Sequence, residues 1–437
     1  MAATQNAENR HSATLGSRAL FPDLKTAVYL NHASLSPPSV AVQHAVERSL
    51  RGYATQGMAW YAQEIECRDR LRAQLARLIG GEPEDARELR KRIDAPIGDR
   101  TGGEPEDVGL IANTSAGVLA IALCLDWSPG DRIVLFEGEF PTNITPWQQT
   151  ARREGLEIVW QKAEDFRHDR AAALERLEDV LNRGVRLVAM SAVQFTTGQR
   201  MPLKAVGELC RRYRAELFID GIQALGIVPI DAPAMGIQYF TTGSHKWLMG
   251  PEGLGALWVD PAVADRLKPN FAGWLSHEEP FAFLTHGPGH LRYDRGFQSG
   301  ARMVEAGTFN TLGAAGLEAS VGLIESIGVA QIFNHVQRWH DAIEPGLIER
   351  GFRSARVNHA GSRSGSLCLR PPRGQGAPAW ARALGERGIS LSSPDGWLRL
   401  SPSWPNALSE TEQVLGAIDQ VIDHPSALDA VAEVDRN

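Results

Sequence analysis

Lys246 stands in the run TTGSHKWLMGPEGLGALWV (residues 241–259), between two apolar segments and beside a glycine-rich turn. An amine at the floor of a cleft loses hydration, which favours its neutral, nucleophilic form and suits Schiff-base chemistry. Taken alone, a loop lysine is usually a solvated charge, so its surroundings decide. Asp220 closes the apolar run ELFID (216–220), with Gln223 three residues further on. A carboxylate in that position needs a cation or a hydrogen-bond donor. ANTSAG (112–117), with Ser115 and Ala116, follows one apolar segment and opens a helical one. The N–H groups of such a helix start favour a phosphate. Phe140, in EGEFPTNITPW (137–147), precedes a proline turn, where its ring can stack on a flat ligand.

The elements that must position these residues alternate in type. VGLIA (108–112), RIVLFE (132–137), LEIVW (156–160), VRLVAMS (185–191), ELFID, QYFTT (238–242) and GLGALWV (253–259) read as strands. Residues 169–183 and 202–214 read as amphipathic helices. This alternation predicts an α/β fold, a mostly parallel sheet with helices on both faces, whose ligands bind outside the carboxyl ends of the strands. Residues 312–350 read as helical, and shorter strand-like and helical pieces follow, which predicts a smaller α+β C-terminal domain. The expected division is a disordered tail over 1–18, an N-terminal segment (19–50) packing near the small domain, a large domain over 51–311 and the small domain over 312–437. A charged insertion at about 82–105 is flanked by two copies of GGEPED, at 80–85 and 102–107.

The chain has 437 residues, a formal net charge of −7 and four cysteines with no CxxC pair. The acidic balance argues against nucleic-acid binding, and no apolar run approaches a membrane span. The polar start lacks an apolar leader core, and the scattered cysteines read as reduced thiols; the expected location is cytoplasmic. His277, His286 and His290 lack the spacing of a helical metal pair, so no metal site is expected. Residues 274–302, rich in aromatic residues, precede EAGTFN and are expected near the mouth of the site, where they would set substrate preference.

The four features together ask for a phosphate, a flat ring, a protonatable ring nitrogen and an aldehyde, which pyridoxal 5′-phosphate (PLP) combines. The chain resembles PLP enzymes of fold type I, in the class V aminotransferase group with cysteine desulfurases, isopenicillin N epimerase and kynureninase relatives. The resemblance runs from about Tyr29 to Glu412 and rests on YLNHASLSPP, ANTSAG, EFPTNITPW, SAVQFTTGQR, FIDGIQALG, GSHKWLMGPEGLG, EAGTFN and LRLSP. It implies that Lys246 is the Schiff-base lysine, that Asp220 keeps the pyridine nitrogen protonated, and that Gln223 lies near the ring hydroxyl. It also implies Phe140 at the stacking position, which is histidine in the desulfurases. Ser115, Ala116 and His245 would hold the phosphate, with Ser244 beside Gly243, where the family often has serine. Thr308 in EAGTFN would reach the phosphate of the other subunit of a homodimer, and Arg399 in LRLSP would bind the α-carboxylate of an amino-acid substrate. The stretch GISLSSPDGWLRL carries no cysteine where desulfurases have a reactive one. Aminotransferase chemistry on an amino acid or amine is therefore expected first. C–S or other β-lyase chemistry and epimerisation are the alternatives, and a noncatalytic PLP-binding regulator is the non-enzyme reading.

Overall fold

The computed structural model describes residues 12–80, 103–372, 376–425 and 428. Most of the expected tail (1–11) and of the insertion (82–102) lies outside the described residues. Strand β1 (Val28–Tyr29) belongs to the C-terminal half of the molecule. Seven others, β2 (Val108–Ile111), β3 (Arg132–Glu137), β4 (Glu157–Lys162), β5 (Leu187–Ser191), β6 (Glu216–Asp220), β7 (Tyr239–Gly243) and β8 (Gly255–Val259), form one sheet in the order β2-β8-β7-β6-β5-β3-β4. Pairing is parallel from β7 through β4, and β8 runs antiparallel to both β7 and β2. The mostly parallel sheet expected from the sequence is present. Its exception has a cause: residues 244–254, which join β7 to β8 and carry Lys246, are too few for a crossover helix.

β5, β6, β7 and β8 are buried along their whole length, because helices cover both faces. Side chains on β3 divide by period two: Val134 and Phe136 enter one core with Leu71, Leu177, Val206 and Leu317, while Ile133 and Leu135 enter the other with Val118, Ile121 and Trp147. Each fully buried side chain of this size contributes about 1.5–3 kcal/mol. β4, at one edge of the sheet, stays half-exposed and carries Glu157 and Lys162 at its ends, which discourages edge pairing.

A third core joins Val28 and Leu30 to Trp339, Ile343, Leu367, Trp380, Leu398 and Ile418. β1 pairs in parallel with β11 (Ile389–Ser390), and β9 (Arg353–Ser354), β10 (Leu367–Arg370) and β12 (Leu398–Leu400) form an antiparallel sheet in the order β12-β10-β9. The helical reading over 312–350 breaks at Gly328, whose φ is 88°. Thr311–Ile327 and Val329–Glu349 meet there at 75°. The first packs with the sheet core through Leu317 and Val321; the second enters the C-terminal core through Trp339 and Ile343.

The strand order reverses beside β3. From it the chain goes outward to β4, then returns to β5 on the opposite side. The crevice beyond the carboxyl ends of β3 and β5 is therefore the topological switch point, where ligands of such sheets bind.

Candidate active site

Phe140 just past β3, Asp220 at the end of β6 and Lys246 just past β7 stand at the carboxyl ends of the parallel strands. The Lys246 amine lies 5.7 Å from the centre of the Phe140 ring, and Phe140 is 46% exposed, accessible to a flat ligand. Burial lowers the Lys246 pKa to about 8; attraction from Asp220 opposes the shift and repulsion from Arg399 adds to it. Asp220 is 2% exposed. Burial raises its pKa to about 6, against a hydrogen bond from Ile222 N and the attraction of Lys246. That bond, 3.0 Å to Oδ1, fixes the carboxylate at the end of β6.

The lysine turn is held from a segment more than two hundred residues away. Ser36 N donates to His245 O at 2.8 Å, and Ser36 Oγ donates to Lys246 O at 2.6 Å. With its one proton committed, Ser36 Oγ accepts from His32 Nδ1 at 2.8 Å, which sets the His32 tautomer. His32 is fully buried and its pKa falls to about 3, so it stays neutral. Gln223 ties the same segment down: its Nε2 donates to Ala33 O at 3.0 Å, and its Oε1 accepts from Trp247 Nε1 at 3.0 Å. One amide N–H of Gln223 remains for a ligand.

The helix Thr114–Cys124 begins beside β7. Asn113 Oδ1 caps it by accepting from Ala116 N at 2.9 Å, and the earlier first-turn N–H groups have no intrahelical acceptor. Gly117 lets it approach the sheet, since a Cβ there would stand 2.0 Å from Thr241 Oγ1. Ser115 Oγ shares a 2.7 Å hydrogen bond with Thr142 Oγ1. Thr114 Oγ1 is buried without a hydrogen-bond partner. It lies near Gly243, where a Cβ would come within 3.1 Å of it and 3.4 Å of His245 Cε1. The His245 pKa is lowered by burial and by Lys246. The Ser244 hydroxyl is fully buried and bonds Pro251 O, so it braces the turn from beneath. Thr308 is exposed.

Arg399 reaches across from β12. It is 5% exposed, and burial lowers its pKa. Nη1 donates to Phe195 O at 2.8 Å, Nη2 to Ser34 Oγ at 2.8 Å and Nε to Ser392 Oγ at 3.1 Å. Among the described residues it has no carboxylate within ion-pair reach, and neither has Asp220 a cationic one. A buried charge of either sign without a counter-ion is costly, and a ligand carrying the opposite charges relieves both.

Several residues here lie inside the quoted motifs but receive no role from the sequence. Glu139, 9% exposed, accepts from Ser191 N at 2.8 Å and Gln194 Nε2 at 2.9 Å, and also from Ser191 Oγ. Burial raises its pKa to about 7, and the Asp220 charge adds to the rise. It ties the ends of β3 and β5 together at the switch point. Ser34, Thr114, Thr142 and Phe195 likewise receive no individual role from the sequence; Phe195 meets the Phe140 ring edge-on at 5.3 Å. For Thr114, the place at a helix start directly after a strand was the available signal.

The residues present fit PLP. A desolvated amine lies over an exposed aromatic ring, a buried carboxylate lacks a counter-ion, and a buried hydroxyl lacks a partner beside an N–H-rich helix start. Comparisons with known proteins agree. The profile of the family described as Aminotransferase class-V matches residues 86–398. An uncharacterized aminotransferase, YcbU, of Bacillus subtilis is 25% identical over 92% of this chain and 96% of its own length. The isopenicillin N epimerase of Streptomyces clavuligerus is 26% identical over 80% and 83%. A cysteine desulfurase of Salmonella newport is 30% identical over 48% of each chain. Among solved structures, a variant of C-DES with glycine covalently linked to the PLP cofactor superposes with a TM-score of 0.76 at 22% identity, covering 92% of this chain and 98% of the other. The apo cysteine desulfurase of Thermococcus onnurineus gives 0.75 at 21% identity, over 91% and 95%. With a profile match over most of its length and a fold-type I architecture, this chain belongs to the class V aminotransferase family of PLP-dependent enzymes.

Proposed function

We propose that the protein is an enzyme acting on the α-carbon of an amino acid or amine, with transamination as its reaction. The observation that carries this reading is the Lys246 amine, brought to a pKa of about 8 between an exposed aromatic ring and a buried carboxylate. When bound, PLP supplies an electrophilic carbon and a ring that withdraws electrons from the substrate α-carbon. Lys246 holds the cofactor in the resting enzyme and, once released, carries a proton to and from the substrate. Its lowered pKa makes both protonation states available near neutral pH. Asp220, ionised above about pH 6, holds a proton on the ring nitrogen. Phe140 supports the ring, and the helix start at Ser115 and Ala116 binds the phosphate through the Thr114 and Ser115 hydroxyls and the N–H groups ahead of Ala116, whose own N–H is taken by Asn113 Oδ1, with neutral His245 beside it. Arg399 binds the substrate carboxylate, which suits a planar guanidinium. A homodimer would bring exposed Thr308 to the phosphate of the other subunit. The free, buried state of all four cysteines accords with a reducing compartment such as the cytoplasm.

Transamination is placed first because the relative covering 96% of its own length is described as an aminotransferase. β-Elimination is second, favoured by the relatives described as cysteine desulfurases. Persulfide formation on this chain is disfavoured: Cys368, 1% exposed, has its thiol pushed up to about 12 by burial, and residues 389–396 hold no cysteine. The deciding experiment incubates holoenzyme with single amino acids, with and without a keto-acid acceptor, and measures keto acid, ammonia and sulfide. Keto acid formed only with acceptor supports transamination. Ammonia or sulfide formed without acceptor selects elimination, and an unchanged cofactor absorption band with every amino acid and amine refutes both.

A further inference from the structure

A cavity of about 310 Å³ opens at the switch point, large enough for part of a small molecule. We propose that it is a second substrate subsite, which takes the distal, zwitterionic end of an amino acid whose α-carboxylate lies on Arg399. The proposal rests on the amino-acid chemistry argued above and deepens it by naming the substrate class.

Position is the first argument. The walls are the carboxyl ends of β3 and β4 (Glu137, Lys162), the segment after β5 (Gln194, Thr196), and Arg370 and Trp397 from the C-terminal sheet. This is the crevice in which open α/β sheets bind ligands. It adjoins the reactive residues on two sides. Gln194 donates to Glu139, the neighbour of Phe140, and Phe195, between Gln194 and Thr196, accepts from Arg399. Trp397 lies two residues before Arg399, while Leu398 and Leu400 fill the C-terminal core. The strand alternation therefore turns Trp397 and Arg399 to the same side, with backbones about 6.5–7 Å apart. A substrate held by its α-carboxylate on Arg399 needs on the order of four or five further chain atoms to reach the Trp397 ring.

Charge is the second argument. One ion pair in the wall is satisfied internally, Arg167 with Glu164 at 2.6 Å. Four other charged groups have no ion-pair partner among the described residues. Glu137 and Lys162 are register neighbours at the ends of β3 and β4. Arg370 stacks on Trp397, 4.1 Å from the ring centre, and donates to Gly396 O at 2.8 Å. Asp395 sits in a left-handed turn, φ 46°, which aspartate tolerates better than most residues. Two cations and two anions around one polar cavity match a group that brings both an ammonium and a carboxylate. Glu137, Lys162 and Asp395 are exposed and hydrated, so an aliphatic end gains nothing from them, whereas an ammonium and a carboxylate gain opposite charges.

The test measures dissociation constants of the holoenzyme from the cofactor absorption band, using alanine, norleucine, lysine, 2-aminoheptanedioate and 2,6-diaminoheptanedioate. The expected result is that 2,6-diaminoheptanedioate binds about tenfold or more tighter than norleucine, with the singly charged analogues between them. Trp397→Ala should weaken the bifunctional ligand about tenfold through lost stacking and cation–π contact. Lys162→Gln with Glu137→Gln should weaken it about fivefold, the scale of exposed charge pairs, while alanine binding stays unchanged in each variant. Norleucine binding as tightly as the bifunctional ligand would overturn the subsite, as would equal losses for alanine and the bifunctional ligand in the Lys162/Glu137 variant. If no amino acid shifts the band, the underlying amino-acid reading itself fails; discrimination lost while the band still shifts removes only the subsite.

Discussion

Asp220→Asn should stabilise the protein without PLP and weaken it with PLP. In the unliganded chain the carboxylate is buried without a counter-ion, and burial raises its pKa from 3.8 to about 6. A folded pKa above the unfolded one means that the group's contribution to stability is whole below pH 3.8 and declines as pH rises through 6. A shift of about two units corresponds to about 3 kcal/mol of lost stability above pH 6. Asparagine keeps an oxygen for Ile222 N and carries no charge, so it removes the penalty. Apo Asp220→Asn should therefore exceed the apo wild type by about 2–3 kcal/mol at pH 8 and by about half of that at pH 5. Urea unfolding at fixed protomer concentration measures both. In the holoenzyme the sign reverses, because the carboxylate then faces a protonated ring nitrogen, and the variant should lose cofactor affinity and turnover. Equal stability of the two apo proteins at pH 8, or a gain that does not shrink at pH 5, would refute the claim that Asp220 is an uncompensated buried charge. The same sign in apo and holo forms would refute its pairing with the cofactor.

Lys246→Ala should abolish the adduct that survives borohydride reduction, read by peptide mass spectrometry, and lower turnover at least ~10²–10⁴-fold, the scale of proton-transfer catalysis. In apoprotein, acylation of Lys246 should be half-maximal near pH 8, and in Asp220→Asn it should move lower, since Asp220 opposes the fall; a midpoint above 10 contradicts the burial argument. Arg399→Lys should raise KM for amino acids about 10–100-fold through loss of a two-pronged, charged hydrogen-bond site, while amines lacking a carboxylate keep their KM. Gly117→Ala should destabilise the chain by about 1–3 kcal/mol and weaken PLP binding, because the new methyl meets Thr241 and displaces the helix start; unchanged thermal stability and unchanged PLP affinity would show that the helix does not depend on this approach.

The parts legible in the sequence were those with a local cause. Apolar runs marked β3, β5, β6, β7 and β8 because strands buried on both faces need no polar side chain. Asp220 stood out because it ends such a run, and Lys246 and Phe140 because each stands in the turn just beyond one. The reversal of β8 was hidden, since direction depends on where residues 244–254 lead and not on the composition of either strand. Gly328 was hidden for a related reason: the apolar spacing continues across it, so the 75° turn leaves the helical pattern intact. Ser34, His32 and Glu139 were the least legible. A serine or histidine gains meaning only from what folding brings beside it, and Ser34 meets Arg399 across 365 positions of chain. Nothing in the sequence singles out Glu139, yet Ser191 and Gln194 close over it.

These long-range contacts give the site its electrostatic character. Burial pushes Asp220 and Glu139 up, to about 6 and about 7, and Lys246 down to about 8; Arg399 is lowered as well. Every shift favours the neutral form, so mutual attraction among the protein's own charges does not offset desolvation. Internal pairing would have been simple to build, as it was where Arg72 meets Glu305 at 2.6 Å. Instead, protein hydrogen bonds hold the site's charges in place without neutralising them: Ile222 N for Asp220, and Ser34, Ser392 and Phe195 O for Arg399. Such preorganised charges gain most from a ligand that brings the opposite charges. A protonated ring nitrogen meets Asp220, and a carboxylate meets Arg399. Removing one partner by mutation therefore has opposite consequences in the empty and filled protein, and that reversal separates a binding site from a buried ion pair of the fold.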